Sequence, residues 1–253
     1  MIKPAFRQSQ AIIYLLKEID RYIASGAMDV DVCYGATVTT HTGSQKAGAR
    51  IGFSPLGLHL AVCLLLDFRG MKHESTERET FVICVRFTTP PTLETIFFPE
   101  RHHSVMAGLL AQAGFHCRLS AEELAPIAER SKFTLKEDTV ELCAYLTALE
   151  LGKDWAESLQ KKIFALKAKG MKTVIILVPA WRPVPPYLDR EMSRINAIFS
   201  GMKPLSAGEC YLVYSALSDP LDFDRLLFHD PLADALKEHC RQLYKEMTEE
   251  KPE

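Results

Sequence analysis

Much that would betray a function is missing from this sequence. It has no basic excess: 30 Lys and Arg stand against 32 Asp and Glu, a formal net charge of −2. A nucleic-acid binder draws most of its affinity from phosphate neutralisation, so that class is disfavoured. No apolar run reaches the roughly 18 residues of a membrane span. The most apolar segment, Leu58–Phe68 ("LHLAVCLLLDF"), has the length of a buried strand. The N-terminus, "MIKPAFRQSQAIIYLL", lacks a signal-peptide layout and a small-residue cleavage site. Together these absences predict a cytoplasmic protein without membrane attachment. The seven cysteines stand singly and form no C-x-x-C, which argues against a zinc ribbon or redox pair. Most lie in apolar segments, where a reduced Cys behaves as a small hydrophobe. Walker, H-E-x-x-H and G-x-S-x-G motifs are absent, and no metal site is expected.

What is present is an ordinary globular composition, 47% hydrophobic and 25% charged over 253 residues, enough for one large core or two modest ones. Helical periodicity predicts helices over Gln8–Ala24, from the Thr42-Gly43-Ser44 turn to Arg50, and over Pro99–Ala113, Lys153–Lys169, Leu188–Phe199 and Pro231–Met247. Ser120 is expected to cap a helical turn in "SAEELAPIAER". Strands are predicted over Val30–Thr40, Leu56–Phe68, Thr80–Thr88, Glu94–Phe98, Phe115–Leu119, Thr139–Leu151, Val174–Val178, Glu209–Leu217 and Phe223–Phe228. The continuous apolar run Val174–Val178 suits a strand buried on both faces.

The order of elements repeats. "ASGAMDVDV" (Ala24–Val32) and "AKGMKTVII" (Ala168–Ile176) each follow a helix and open a strand. A short helix then leads to "IGFSPL" (Ile51–Leu56) in one half and "SGMKPL" (Ser200–Leu205) in the other. This predicts an α/β (α+β) protein of two related units, residues 1–130 and 131–253, with mixed sheets flanked by helices.

Within the first unit, the helix Arg7–Ala24, the strand to Thr40, the turn "VTTHTGSQ", the helix closing at Gly52-Phe53 and "FFPERHHSVMAGLLAQAGF" resemble the C-terminal part of a GNAT-type N-acetyltransferase domain. The second unit resembles the same fold more faintly. The resemblance implies acetyl-CoA, or a related acyl-CoA, lying between two splayed parallel strands with its pyrophosphate on backbone N–H groups at a helix start. An unidentified amine would be the acceptor, with a backbone donor near Val38–Thr40 stabilising the oxyanion.

The family's pyrophosphate motif falls on "RQSQAI", so Arg7, Gln8, Ser9 and Gln10 are candidate cofactor-binding residues, with Val38, Thr40 and Ser44. Gln10 and Ile12 stand where the family has small residues that let the backbone approach phosphate. The same segment also reads as an ordinary helix start. His41 stands where relatives place Asn, and Gly48 where they place a proton-donating Tyr. His41 is therefore the candidate catalytic group, and a polar turn residue is its plainer role. Ser44 is equally an N-cap, and Lys46 and Arg50 equally a solvated face.

Three further stretches hold chemistry-bearing residues. "ERHH" (Glu100–His103) could serve as acid and base, or be a solvated first helical turn. "DPLDFDR" (Asp219–Arg225) reads as charged protection of a strand edge, and "WRPVPPY" (Trp181–Tyr187) as an aromatic rim or a stiff connection. Only six residues precede Arg7, too few for the strands that open a transferase domain. The second unit, including Thr139–Leu151, is expected to supply them, or a second copy in a homodimer. Two functions follow: acyl-CoA binding with acyl transfer, or a catalytically inactive module that binds a protein partner.

Overall fold

The computed structural model describes residues 11–64 and 78–249. In chain order the elements are α1 (Ala11–Ala24), β1 (Val32–Val38), α2 (Gly43–Arg50), β2 (Ser54–Cys63), β3 (Glu79–Phe87), β4 (Thr95–Phe97), α3 (His103–Gln112), β5 (Arg118–Ser120), β6 (Lys132–Asp138), β7 (Cys143–Glu150), α4 (Trp155–Ala168), β8 (Thr173–Pro179), α5 (Leu188–Arg194), β9 (Ala197–Pro204), β10 (Cys210–Leu217) and α6 (Pro231–Glu249). The expected α/β class is the class observed. Eight strands form one sheet in the order β1-β3-β2-β9-β10-β8-β7-β6, and β4 and β5 form a small parallel pair apart from it. In the large sheet only β7 and β8 run parallel.

Topology repeats across the sheet. Helix, strand, helix, strand, strand occurs as α1-β1-α2-β2-β3 and again as α4-β8-α5-β9-β10. In each set the last strand inserts between the first two, giving β1-β3-β2 and β8-β10-β9. The sets meet where β2 lies against β9, through the single pair Gly57 and Gly201. A Cβ on Gly57 would lie 2.8 Å from the Met202 carbonyl oxygen, and one on Gly201 would lie 2.4 Å from Cα of Gly57. Gly201 also holds φ at 117°, which side-chain-bearing residues rarely adopt. The Gly-x-x-Pro-Leu echo does not mark equivalent places: Gly52 follows α2, whereas Gly201 lies inside β9.

Each face of the sheet has its own core. One face is covered by α3, α4, α5 and α6, whose apolar stripes share a cluster with the inward residues of the strands. In α6 the stripe is Ala233, Leu236, Cys240, Leu243 and Met247, spaced three and four apart as a helix facing a core requires. In α4 it is Trp155, Leu159, Ile163 and Leu166. Burying each large side chain contributes about 1.5–3 kcal/mol. The opposite face carries a smaller cluster around Val62, Ile175, Leu177 and Val213, with no helical member. Toward that face the sheet curls, because residues of both edge strands line one cavity there.

Several expectations need correction. The second half does not supply strands beside β1. Among the described residues β1 ends the sheet with β3 as its one neighbour, while β6 and β7 close the opposite end. The helix expected to run to Phe199 stops at Arg194, and Asn196 (φ 57°) turns the chain into β9. Lys132–Asp138 is a strand paired with β7. "SAEELAPIAER" is not helical; it runs beside Val184, and Ser120 Oγ accepts from the Glu122 amide instead. Phe223–Arg225 is a 3-10 turn, so the acids of "DPLDFDR" guard no strand edge. They form ion pairs instead, Asp219 with Lys172, Asp222 with Arg225 and Asp224 with Arg241. All seven cysteines are free thiols, five of them buried. Among the described residues no helix is long and apolar enough to cross a membrane.

Candidate ligand-binding site

Of the expected transferase residues, Val38, Thr40, His41 and Ser44 fall among the described residues. Arg7, Gln8, Ser9 and Gln10 lie outside the described residues. Val38 closes β1, and its carbonyl accepts a hydrogen bond from Gln45 Nε2 at 2.9 Å. The same amide nitrogen donates to the Leu227 carbonyl at 2.8 Å, and Gln45 Oε1 accepts from the His229 amide at 2.8 Å. Buried Gln45 therefore spends its amide tying β1 and α2 to the segment before α6, which is a folding role for the "VTTHTGSQ" turn. The Thr39 N–H, in the stretch expected to stabilise an oxyanion, is taken by the Thr80 carbonyl and the Glu79 carboxylate. His41 Nδ1 accepts from the Gly43 amide at 3.2 Å. Thr42, not Ser44, occupies the N-cap position of α2, with no side-chain cap bond. The hydroxyls of Thr40 and Ser44 have no hydrogen-bond partner.

The one parallel pair of the large sheet, β7 with β8, separates toward its end, and the space there is already occupied. Pairing of β7 with β8 stops at Thr147 and Leu177, short of their ends at Glu150 and Pro179. The chain's own segment 121–131 runs into that space. Leu124 donates to the Val184 carbonyl at 2.9 Å, and the Lys153 amide to the Ala128 carbonyl at 2.8 Å. At the start of α4, Asp154 is bound by the amide and hydroxyl of Ser131, and a Cβ on Gly152 would lie 2.5 Å from the Arg130 backbone. What remains open is about 190 Å³.

The concave face holds a larger space, about 630 Å³, within the range of small-molecule sites. Tyr34 and Ala36 reach it from one edge of the sheet, Thr134 and Lys136 from the other. The Tyr34 hydroxyl donates to the Pro204 carbonyl on β9, spanning β3 and β2, and so fixes the curl. Phe81 and Tyr145 add aromatic wall. His59, 5% exposed, stands in this wall with its ring 5.7 Å from that of Tyr145. Its Nε2 has no hydrogen-bond partner, an omission that costs about 1–3 kcal/mol in a buried group. Burial first, then the nearby Lys203 charge, pushes the His59 imidazole down to about 3, so it is neutral. Lys203 lies half-buried with its ammonium 5.4 Å from the Tyr34 ring centroid, and burial, then the Lys136 charge, lowers its own pKa. Asp138 lines the same space, but its Oδ1 accepts from the amides of Val140 and Glu141 in the β6–β7 turn.

A second polar group lies beneath the helices. His102, 1% exposed, places Nε2 2.9 Å from Asp189 and Nδ1 2.8 Å from His239 Nε2. The Tyr214 hydroxyl donates to the other Asp189 oxygen at 2.7 Å. His239 and His102 share a hydrogen bond, whereas His102 Nε2 and the facing Asp189 oxygen form a close polar pair whose geometry falls short of one. Burial alone would raise the Asp189 carboxyl, but His102 and the Tyr214 hydroxyl hold it below the usual range. Burial lowers His102, and burial followed by the neighbouring charges lowers His239 to about 4. The adjoining cavity is about 60 Å³, too small for a substrate. This chain of groups joins the turn before α3 to α5, β10 and α6. It also corrects the reading of "ERHH" as a solvated turn, since His103 likewise bonds the Phe98 carbonyl at 2.9 Å. Trp181 of "WRPVPPY" packs edge-on against Tyr211 at 5.0 Å, as a stiff connection does. No three His, Cys, Asp or Glu among the described residues are placed to hold a metal ion.

Comparison of the chain with protein-family models, curated proteins and solved structures finds no match. The geometry of the two polar groups therefore carries the functional argument. Sequence reasoning missed the first and, of the second, named only the "ERHH" stretch that holds His102. A signal for the first was on view: His59 is the lone polar side chain in "LGLHLAVC", an apolar strand with no reason to spend a position on an imidazole. His102 could not be told from exposed His by spacing, because its partners come from α5, β10 and α6.

Proposed function

We propose that this chain is a small-molecule binding module, built on an acyltransferase-like scaffold and working through the concave face of its sheet. The observation that carries this reading is a concave space of about 630 Å³ walled by Tyr34, Phe81, Tyr145 and His59, with the half-buried Lys203 ammonium beside it. Small-molecule sites are commonly concave and mostly apolar, with a few polar groups that fix orientation. The turn that resembles the transferase family supports scaffold rather than chemistry, since Gln45 and Thr39 spend their hydrogen bonds on the fold.

Acyl-CoA binding, with transfer to an amine, is the second reading. The early end of the β7–β8 ladder favours it, and the occupancy of that opening by residues 121–131 counts against it. Calorimetry with acetyl-CoA separates the two. The binding-module reading expects no heat of binding at millimolar acetyl-CoA. Micromolar binding that is lost in Arg7→Glu would overturn it and restore the transferase.

A further inference from the structure

The concave cavity also carries the class of its ligand, an inference that rests on the binding-module reading. Its charges are unbalanced. Lys203 and Lys136 both line it, and neither forms an ion pair with a described residue. The single carboxylate in the wall, Asp138, is held by two backbone amides of its own turn. Lys203 reaches in from β9, at the middle of the sheet, and Lys136 stands exposed on β6, the edge strand. Opposite Lys136 across the ladder is Tyr145, and beneath Lys203 is the Tyr34 ring. Each cation is thus set beside an aromatic surface, with Phe81 and His59 completing the wall.

We propose that the cavity takes a flat, mostly apolar carboxylic acid: its ring system lies between Tyr34, Phe81 and Tyr145, and its carboxylate meets Lys203 and Lys136. Charge complementarity selects the anion. A neutral isostere leaves Lys203 half-buried without a counter-charge, and an amine adds a third positive charge beside two. The aromatic walls select the body, since stacked rings bury a large area at little entropic cost.

The test uses the full chain, isotope-labelled, titrated with three probes of one shape: 2-naphthoate, methyl 2-naphthoate and 2-naphthylmethylamine. The expected result is saturable shifts of the Tyr34, His59 and Tyr145 resonances with the acid, at least tenfold weaker binding of the ester, and none of the amine. Lys203→Met is expected to erase the advantage of acid over ester while leaving ester binding in place. Lys136→Met, at an exposed position, guards against a folding defect and is expected to weaken the acid two- to threefold with an unchanged melting temperature. Ester or amine binding as tightly as the acid overturns the ligand class and leaves the cavity reading standing. If no probe shifts those three residues, both fall.

Discussion

Two buried histidines of this protein live in opposite circumstances. His102 has a polar neighbour at each ring nitrogen, and its ring stacks on Phe199 at 4.0 Å, nearly parallel. His59 is buried almost as well, yet its Nε2 meets nothing. Burial and polarity are alike in the two, so neither decides the role. The neighbours do: His102 sits between a carboxylate and a second imidazole and ties the architecture together, whereas His59 has no polar neighbour at Nε2.

The contrast breaks most visibly at His102. His102→Ala leaves the Asp189 carboxylate with one partner instead of two and opens a hole against Phe199. The expected loss is about 3 kcal/mol in chemical denaturation. A variant as stable as the parent would show the cluster to be ornamental.

Acid is the next lever. The folded chain holds His59 at about 3 and His239 at about 4, both below the ordinary value of about 6.5. Between these values the unfolded chain binds more protons than the folded one, so stability falls as pH drops below about 6.5. His59 alone accounts for about 1.5 kcal/mol of loss between pH 6.5 and 5. Denaturation midpoints at the two pH values, compared between the parent and His59→Leu, measure that share. Parallel declines in the two proteins would mean His59 is not the buried neutral group described.

The smallest effect has the opposite sign. His59→Leu removes an unmatched nitrogen and fills the same wall, so at neutral pH it is expected to stabilise the chain by about 1 kcal/mol. Destabilisation of that size would reveal a partner for His59 and turn it into a second His102.

Much of the fold was legible because local signals agreed with the tertiary outcome. The stripes of α4 and α6, the β-branched run of β1 and the all-apolar β8 each state their element plainly. Two strands hid for different reasons. β9 crosses the middle of the sheet with seven of its eight residues buried, so it lacks the alternation that marks a strand, and its apolar start continued the helical pattern of α5. β6 lies at the edge, largely exposed, and its lysines and acids read as solvated loop. The turn "VTTHTGSQ" lies between β1 and α2, where the sequence put it, but its hydrogen bonds point inward, and a motif carries no record of where its donors are spent. The candidate site draws on strands from both ends of the chain. Only the curl of the sheet brings Tyr34 and Lys136 to one space, and curl is not written in any single segment.

The contact between Gly57 and Gly201 constrains how this chain can change over its lineage. A side chain on Gly201 would enter the space of the Gly57 backbone, and one on Gly57 would meet the Met202 backbone beside Gly201, so neither position can drift first, and a paired change must pass through a clash. Two alanines are not a neighbouring sequence but a forbidden one. Whatever else the two halves of this topology lose in resemblance to each other or to distant kin, the join itself keeps a two-letter fingerprint. A search for chains that share this architecture can begin from two glycines about 144 positions apart, each inside an apolar strand, when overall similarity has nothing left to offer.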